Sequence, residues 1–151
     1  MDIYSYARHF MQAHGNPNQW INGYPSADLI LKEIASQHSY ICESREGEIL
    51  GTFCFIPGED PTYARIDNGE WLNNDPYFVI HRLATNGKQK GVAAACLKWC
   101  FEHCPNIRVD THHDNIVMQN ILEKQGFQRC GIIYTHNGTP RIAYQQDISK
   151  K

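Results

Sequence analysis

The sequence predicts an α/β chain in which helices flank a mixed sheet. Two kinds of segment alternate along it: some place apolar residues at helical spacing, and others alternate apolar with polar residues as strands do. One strand also leads straight through a glycine-containing loop into a helix. The chain has 151 residues, of which 42% are hydrophobic and 20% charged, so we expect residues 1–151 to form a single domain.

The composition argues against two classes of partner. A net charge of -2 and a pI near 6.4 do not suit a nucleic-acid binder that works by neutralising phosphates. No apolar run reaches the length of a membrane span, and residues 1–4 lack the basic start of a signal peptide. We therefore expect a cytoplasmic protein with no nucleic-acid and no membrane partner.

No metal site is predicted. Cys96, Cys100 and Cys104 recur every four residues, so they share one helix face, where reduced and buried side chains are expected. His112 and His113 are neighbours in a predicted strand, where successive side chains point to opposite faces. Neither group therefore has the spacing of a zinc site.

The first half of the chain is predicted to hold two helices and a hairpin. Residues Tyr4–Ala13 form the first helix, and Ser26 is the candidate N-cap of the second. Between residues 39 and 56 the pattern changes to two strands around a turn at 45–48. A polar loop at 58–75 follows, and loops of this length are often functional.

The middle of the chain predicts a strand, a loop, a helix and another strand. The strand Tyr77–Ala84 runs into a loop, and the helix Val92–His103 that follows is limited by Pro105. Residues Ile107–His112 alternate strictly between apolar and polar side chains, which predicts a strand.

The last part predicts one more helix and a hairpin. Asp114 or Asn115 caps the helix. Strands at 130–135 and 141–145 flank the pair Asn137-Gly138, a strong signal for a tight turn.

The loop before the Val92–His103 helix has the chemistry of a phosphate site. A glycine-rich turn at a helix start aims free backbone N–H groups and the positive end of the helix dipole at whatever lies in front. Because Val92 follows Gly91, no Lys and hydroxyl stand ready as in a P-loop, and Gly87 to Gly91 has the wrong spacing for a dinucleotide fingerprint. An ordinary basic loop has the same short pattern, so the context of surrounding segments must distinguish a phosphate site from such a loop.

That context resembles the GNAT superfamily of acetyl-CoA-dependent N-acetyltransferases over nearly the whole chain. The family's acyl-CoA loop, [QR]-x-x-G-x-[GA], corresponds to Lys88–Ala93. Its later signature, an Asn that opens a helix ending in Gly-Phe, corresponds to NIVMQNILEKQGF at 115–127. The resemblance implies a mostly antiparallel sheet, two strands splayed apart to admit the cofactor, and acetyl-CoA as acyl donor.

The resemblance also implies which residues hold acetyl-CoA. Backbone groups of one strand would bind the pantetheine arm and polarise the thioester carbonyl. Main-chain N–H groups of the loop would bind the pyrophosphate, two lysines would add charge, and an Asn side chain would bind the arm. The strand residues are His81, Arg82 and Leu83. The loop residues are Gln89, Gly91, Val92, Ala93 and Ala94, the two lysines are Lys88 and Lys90, and the Asn is Asn115.

Acetyl transfer to an amine needs a general base, because a protonated amine is not a nucleophile. Some family members carry an acidic base five residues before the Asn, and Asp110 occupies that position. His112 is expected to lie on the same face and to share the role. Two alternatives stay open: Asp110 has a structural role, in which it pairs with Arg108 or caps the next loop, and His81 is a third candidate base.

Two features depart from the family pattern. The position where many members carry the acid Tyr is Leu122, so Tyr134, Tyr144 or solvent would have to protonate the thiolate. A cysteine nucleophile, Cys130, is an alternative, as is a non-catalytic acyl-CoA sensor. The family's first strand has no counterpart before the first helix; it is either absent or outside this sequence, and an exposed sheet edge would favour a homodimer.

The acceptor is expected to be a primary amine of a small molecule or peptide. Aromatic residues of the early helices and the long loop predict an acceptor wall, and nearby carboxylates would attract a cationic amine. The aromatic candidates are Trp20, Tyr24 and Trp71, with Tyr63; the acidic ones are Glu59, Asp60 and Glu70.

Overall fold

The structure is a computed structural model that describes residues 2–16, 19–20 and 24–150. The helices are α1 (Asp2–Ala13), α2 (Ala27–Ala35), α3 (Val92–His103) and α4 (Ile116–Lys124). The strands are β1 (Ser39–Glu43), β2 (Ile49–Pro57), β3 (Phe78–Thr85), β4 (Asn106–Thr111), β5 (Gln128–Tyr134) and β6 (Pro140–Asp147). Short 3₁₀ turns occupy Pro61–Tyr63 and Ile148–Lys150.

The helices and strands follow the predicted order, and their starts have local causes. The Ser26 hydroxyl accepts a hydrogen bond from the Leu29 N–H at 3.2 Å, so Ser26 is the N-cap of α2. Of the two candidates for α4, Asn115 is the N-cap, and its Oδ1 accepts from the Met118 N–H at 3.1 Å. The 3₁₀ turn inside the long loop was not predicted; Asp60 caps it.

One local prediction is wrong. β4 ends at Thr111, so His112 and His113 lie in the turn beyond it and not in the strand. Their side chains do not point to opposite faces; the two rings stack with centroids 4.3 Å apart.

The sheet has six strands in the order β1-β2-β3-β4-β6-β5. All neighbours run antiparallel except β3 and β4, which are parallel. β3 pairs with β4 at Phe78↔Ile107 and Val79↔Arg108, and beyond those pairs the strands separate. This confirms the mixed, mostly antiparallel sheet and the expected splay.

Two apolar clusters fix the surroundings of the splay. α3 and α4 pack on the sheet through a core that includes Leu97 and Leu122, both at most 1% exposed. α1 packs beside β3 in a second cluster with Tyr4, Met11 and Trp20. Burying each of these large side chains contributes about 1.5–3 kcal/mol of transfer free energy, so the elements around the splay are held firmly.

The described chain starts in α1, and β1 lies at one edge of the sheet. No strand among the described residues covers that edge. Within the same residues, no helix combines the length and the apolar character needed to cross a membrane.

Candidate active site

The candidate active site is a cleft between β3 and β4. Beyond Val79 and Arg108, the described residues show no backbone pairing between the two strands. A cavity of about 610 Å³ occupies the gap and is lined by residues 80–83 of β3 and 109–111 of β4. The facing strand edges can therefore offer backbone N–H and C=O groups to a ligand, as in strand addition.

A bulge in β3 shapes one wall of this cleft. The pairing with β2 skips Arg82 and Leu83, and Arg82 has a φ of +56°, in the left-handed region. Its guanidinium lies 2.8 Å from Glu33 Oε1 and donates to the Tyr24 hydroxyl at 2.9 Å. The bulge is thus tied to α2, and the Tyr24 hydroxyl is held at the cleft.

The loop before α3 forms the other end of the site. Gly91, with φ +82°, is the N-cap of α3 and provides no side-chain cap, so the first N–H groups of the helix are left for a ligand. A second cavity of about 230 Å³ reaches this loop and is lined by Gly87, Gly91 and Tyr6. Gly87 has a φ of +74°, and a Cβ there would overlap the hydroxyl end of the Tyr6 ring, so a larger residue would strain the backbone and displace that ring. Lys88 Nζ lies 2.8 Å from Glu48 Oε1.

The two cavities meet at four shared residues: Met11, Leu83, Asn115 and Met118. Asn115 is buried, and its Nδ2 donates to Gln19 Oε1 at 3.1 Å. An amide nitrogen carries two N–H donors and an amide oxygen has two lone pairs. Counting partners among the described residues, Asn115 therefore keeps one donor and one lone pair for a molecule that passes from one cavity to the other.

Asp110 lies in the larger cavity with a defined partner. Its Oδ1 accepts a hydrogen bond from the Tyr63 hydroxyl at 2.6 Å. Burial, and then the neighbouring Asp110 charge, raises the pKa of Tyr63 well above its ordinary value. Tyr63 therefore stays protonated and orients the carboxylate. Among the described residues Oδ2 has no donor, so it can accept a proton from a ligand.

This fold recurs in a solved relative. An acetyltransferase of the GNAT family from Streptococcus agalactiae 2603 has a TM-score of 0.87 and 30% sequence identity, over 96% of this chain and 86% of that one. The chain belongs to the GNAT family of acetyltransferases.

More distant solved structures share the GNAT fold. A putative acetyltransferase from Staphylococcus aureus Mu50 has a TM-score of 0.68 and 21% identity, over 97% of this chain and 89% of that one. The NatC complex bound to Gag peptide and CoA has a TM-score of 0.60 and 15% identity, over 97% of this chain and 91% of that one. No protein-family model and no curated protein matches the sequence.

Among the acidic candidates of this GNAT chain, Asp60 lines the cleft and Glu59 and Glu70 are exposed outside its lining. His81 Nε2 donates to Asp60 Oδ2 at 2.9 Å. Burial raises the pKa of Asp60, but hydrogen bonds from His81 and from Thr62 outweigh it and lower that pKa from 3.8 to about 2. The hydrogen-bonded pair of Asp60 and His81 therefore stabilises the wall of the cleft, and the Nε2 of His81 is already used in that hydrogen bond.

We expect Asp60→Asn to lower the free energy of unfolding by about 2 kcal/mol at pH 7. Since the folded pKa lies below the unfolded one, this stabilisation is present above pH 3.8 and is lost as the pH falls towards about 2. Urea unfolding from pH 7 to pH 2.5 measures it. The exposed neighbour supplies the control, Glu59→Gln, with an expected change below about 0.5 kcal/mol. Equal stability of Asp60→Asn and the parent chain at pH 7 would contradict the assignment.

Several predicted site residues lie outside the cleft lining. His112 is buried, and its Nδ1 accepts from the Asp114 N–H at 3.0 Å. Burial, followed by the charge of Arg141, lowers its pKa. Its separation from the cleft follows from the end of β4 at Thr111, so the geometry lends no support to a shared base role.

Trp71 also lies outside the cleft lining, where it packs against other side chains. Its ring packs 5.1 Å from the Tyr63 ring, and the Arg108 guanidinium lies over it at 4.1 Å. Trp20 and Tyr24 do line the cleft, as predicted, with ring centroids 6.1 Å apart. The aromatic wall therefore consists of these two residues without Trp71.

The alternative acids and the alternative nucleophile are engaged elsewhere. The Tyr134 hydroxyl donates to Asp67 Oδ2 at 3.0 Å, and the Tyr144 hydroxyl donates to Glu123 Oε2 at 2.8 Å. Cys130 is buried, which raises the pKa of its thiol and disfavours the thiolate. None of the three lines the cleft.

Gln19 and Arg141 are among the polar residues of the cleft that sequence reasoning missed. Gln19 Oε1 accepts from the Thr111 hydroxyl, the His112 N–H and Asn115 Nδ2. The partners in these contacts are more than 90 residues apart in the sequence, so no local sequence pattern predicts them. Arg141 is the first residue of the predicted strand 141–145, and the pattern of that strand does not mark it as a residue of the cleft.

Proposed function

We propose that this GNAT chain transfers an acetyl group from acetyl-CoA to a primary amine by direct attack in a ternary complex within one domain. The observation that carries the proposal is the pair of joined cavities. One ends at the glycine loop before α3, and the other contains the oriented carboxylate of Asp110. A donor and an acceptor can enter from opposite ends and meet at the splay.

The glycine loop supports acetyl-CoA as the donor. Free N–H groups and the dipole of α3 suit a pyrophosphate. The edge of residues 80–83 that faces β4, and shows no pairing with it among the described residues, suits the pantetheine arm. Solved structures with this fold include complexes with CoA, among them NatC and an aminoglycoside 6'-N-acetyltransferase. No metal enters the proposed reaction, and residence in the cytoplasm and dimerisation stay predictions.

Asp110 is the proposed general base. An ammonium group must lose a proton before its nitrogen can attack the thioester, and Asp110 Oδ2 is free to accept that proton directly or through water. The tetrahedral oxyanion that forms needs N–H donors, which the bulged backbone at Arg82 and Leu83 can supply.

Tyr24 is the proposed acid. Its hydroxyl accepts from Arg82 at 2.9 Å, so its own proton is available to the leaving thiolate. We expect Tyr24→Phe to lower kcat about tenfold, below the usual range for a general acid because a thiolate leaves readily near neutral pH. Steady-state thiol release measures this. Tyr134→Phe, outside the cleft, is the matched control with an unchanged kcat; equal rates of Tyr24→Phe and that control would exclude the role.

Calorimetric titration followed by thiol-release assays tests the proposed function. Acetyl-CoA is expected to bind with micromolar affinity, whereas NAD, a pyrophosphate without a pantetheine arm, is expected not to bind. A folded protein that binds neither would contradict the donor site. Binding without acetylation of any primary amine would instead favour the non-catalytic acyl-CoA sensor.

A further inference from the structure

Arg141 is a buried guanidinium without a carboxylate partner. It lies at the start of β6, with 8% of its surface exposed. Nη1 donates to the Pro140 carbonyl at 3.1 Å and Nη2 to the Gln19 carbonyl at 3.3 Å. A guanidinium has five N–H donors, so these bonds leave donors over. Among the described residues, no carboxylate oxygen lies within 4.0 Å of it.

The charges of the other two guanidinium groups that are largely buried in the described chain are compensated, although the Nε of each has no hydrogen-bond partner there. Arg82 pairs with Glu33 at 2.8 Å. Arg108 lies between the rings of Trp71 and Tyr77, at 4.1 and 4.0 Å from their centroids. Arg141 has neither kind of contact in the described chain, and burial lowers its pKa while the charge of Asp110 opposes that shift. A buried charge without a partner is strongly unfavourable, so a ligand anion would complete this site.

The position of Arg141 relates it to the proposed base. β4 and β6 pair with Asp110 opposite Ala143, and Arg141 lies two residues before Ala143. Side chains two apart in a strand share a face, so Arg141 is a diagonal neighbour of Asp110, with Cα atoms roughly 7–8 Å apart. Both residues line the larger cavity. A small molecule can therefore contact both side chains at once.

We infer that the acceptor is a free amino acid, whose carboxylate binds Arg141 while its amine lies at Asp110. The inference rests on the proposed acetyl transfer and specifies its substrate. The planar fork of a guanidinium matches a carboxylate with two parallel hydrogen bonds. Such a contact also fixes the direction of the amine, because only a few bonds separate the two groups of an amino acid.

Paired acceptors test the inference. The twenty common L-amino acids and the amide of each, which keeps the amine and removes the negative charge, are compared by thiol release from acetyl-CoA. The best amino acid is expected to exceed its own amide by roughly 30-fold or more in kcat/KM, since removal of one partner of a buried charged pair is costly. In Arg141→Gln this ratio falls to near one through a higher KM for the amino acid, and Arg141→Lys restores part of it.

Each other outcome overturns the inference in a distinguishable way. If amides are acetylated as well as amino acids, or if Arg141→Gln slows both equally while its thermal unfolding matches the parent chain, acetyl transfer stands and Arg141 has only a structural role. If neither set is acetylated by a protein that binds acetyl-CoA, the inference fails, whereas the proposed function fails only if other primary amines, such as peptide N-termini, are not acetylated either.

Discussion

Asp110→Asn is expected to lower kcat/KM for acetyl transfer by about 10²–10⁴-fold, the usual contribution of a general base. The substitution keeps the size of the side chain and an oxygen that can accept from the Tyr63 hydroxyl, so the cleft should keep its shape. What is lost is a group that takes a proton from the ammonium. Acetyl-CoA affinity, measured by calorimetry, should stay unchanged, because Asp110 lies in the larger cavity away from the glycine loop.

The pH dependence of the variant separates a base from a merely structural carboxylate. As the pH rises, solvent supplies more neutral amine, so the rate of Asp110→Asn should rise towards that of the parent chain. A matched control is Asp67→Asn, because Asp67 also accepts from a tyrosine hydroxyl, that of Tyr134, but lies outside the cleft. A deficit of Asp110→Asn that is the same at every pH would argue against proton transfer.

The parts of this site that the sequence predicted are those encoded within a few residues of one another. The order strand, loop, helix places Gly91 at the start of α3, and the strict alternation of 107–111 places Asp110 in a strand. The splay of β3 from β4 follows from the family resemblance. It is confirmed because the described strands pair only at Phe78↔Ile107 and Val79↔Arg108 and separate beyond those positions.

The parts that it missed depend on contacts between distant segments. The hydrogen bond from Tyr63 to Asp110 joins residues 47 apart, and that from Arg141 to Gln19 joins residues 122 apart. Aromatic content alone also did not separate Trp20, which lines the cleft, from Trp71, which packs against Arg108. The prediction that His112 shares a face with Asp110 was wrong because β4 ends at Thr111, one residue earlier than predicted. The His112 ring therefore does not follow the alternation of the strand.

Gly91→Asp is expected to weaken acetyl-CoA binding by roughly 100-fold or more, because a like charge beside a bound anion costs several kcal/mol. Gly91 has a φ of +82° and directly precedes the free N–H groups of α3. Its substitution therefore places a carboxylate where the pyrophosphate would lie, and also strains the backbone. A Cβ at Gly91 has no other heavy atom within 4 Å, so neither effect is confused with a clash.

Two further substitutions separate charge from strain. Gly91→Ala introduces the backbone strain, which costs about 1–2 kcal/mol of stability, but no charge. It should therefore weaken binding far less than Gly91→Asp. Gly47→Asp carries both at a hairpin turn with φ +85° and open space, outside either cavity. It should lose similar stability and keep full affinity for acetyl-CoA. If calorimetry shows that Gly91→Asp and Gly47→Asp bind equally well, the pyrophosphate does not lie at the N-terminus of α3, and the donor must enter the splay from another side.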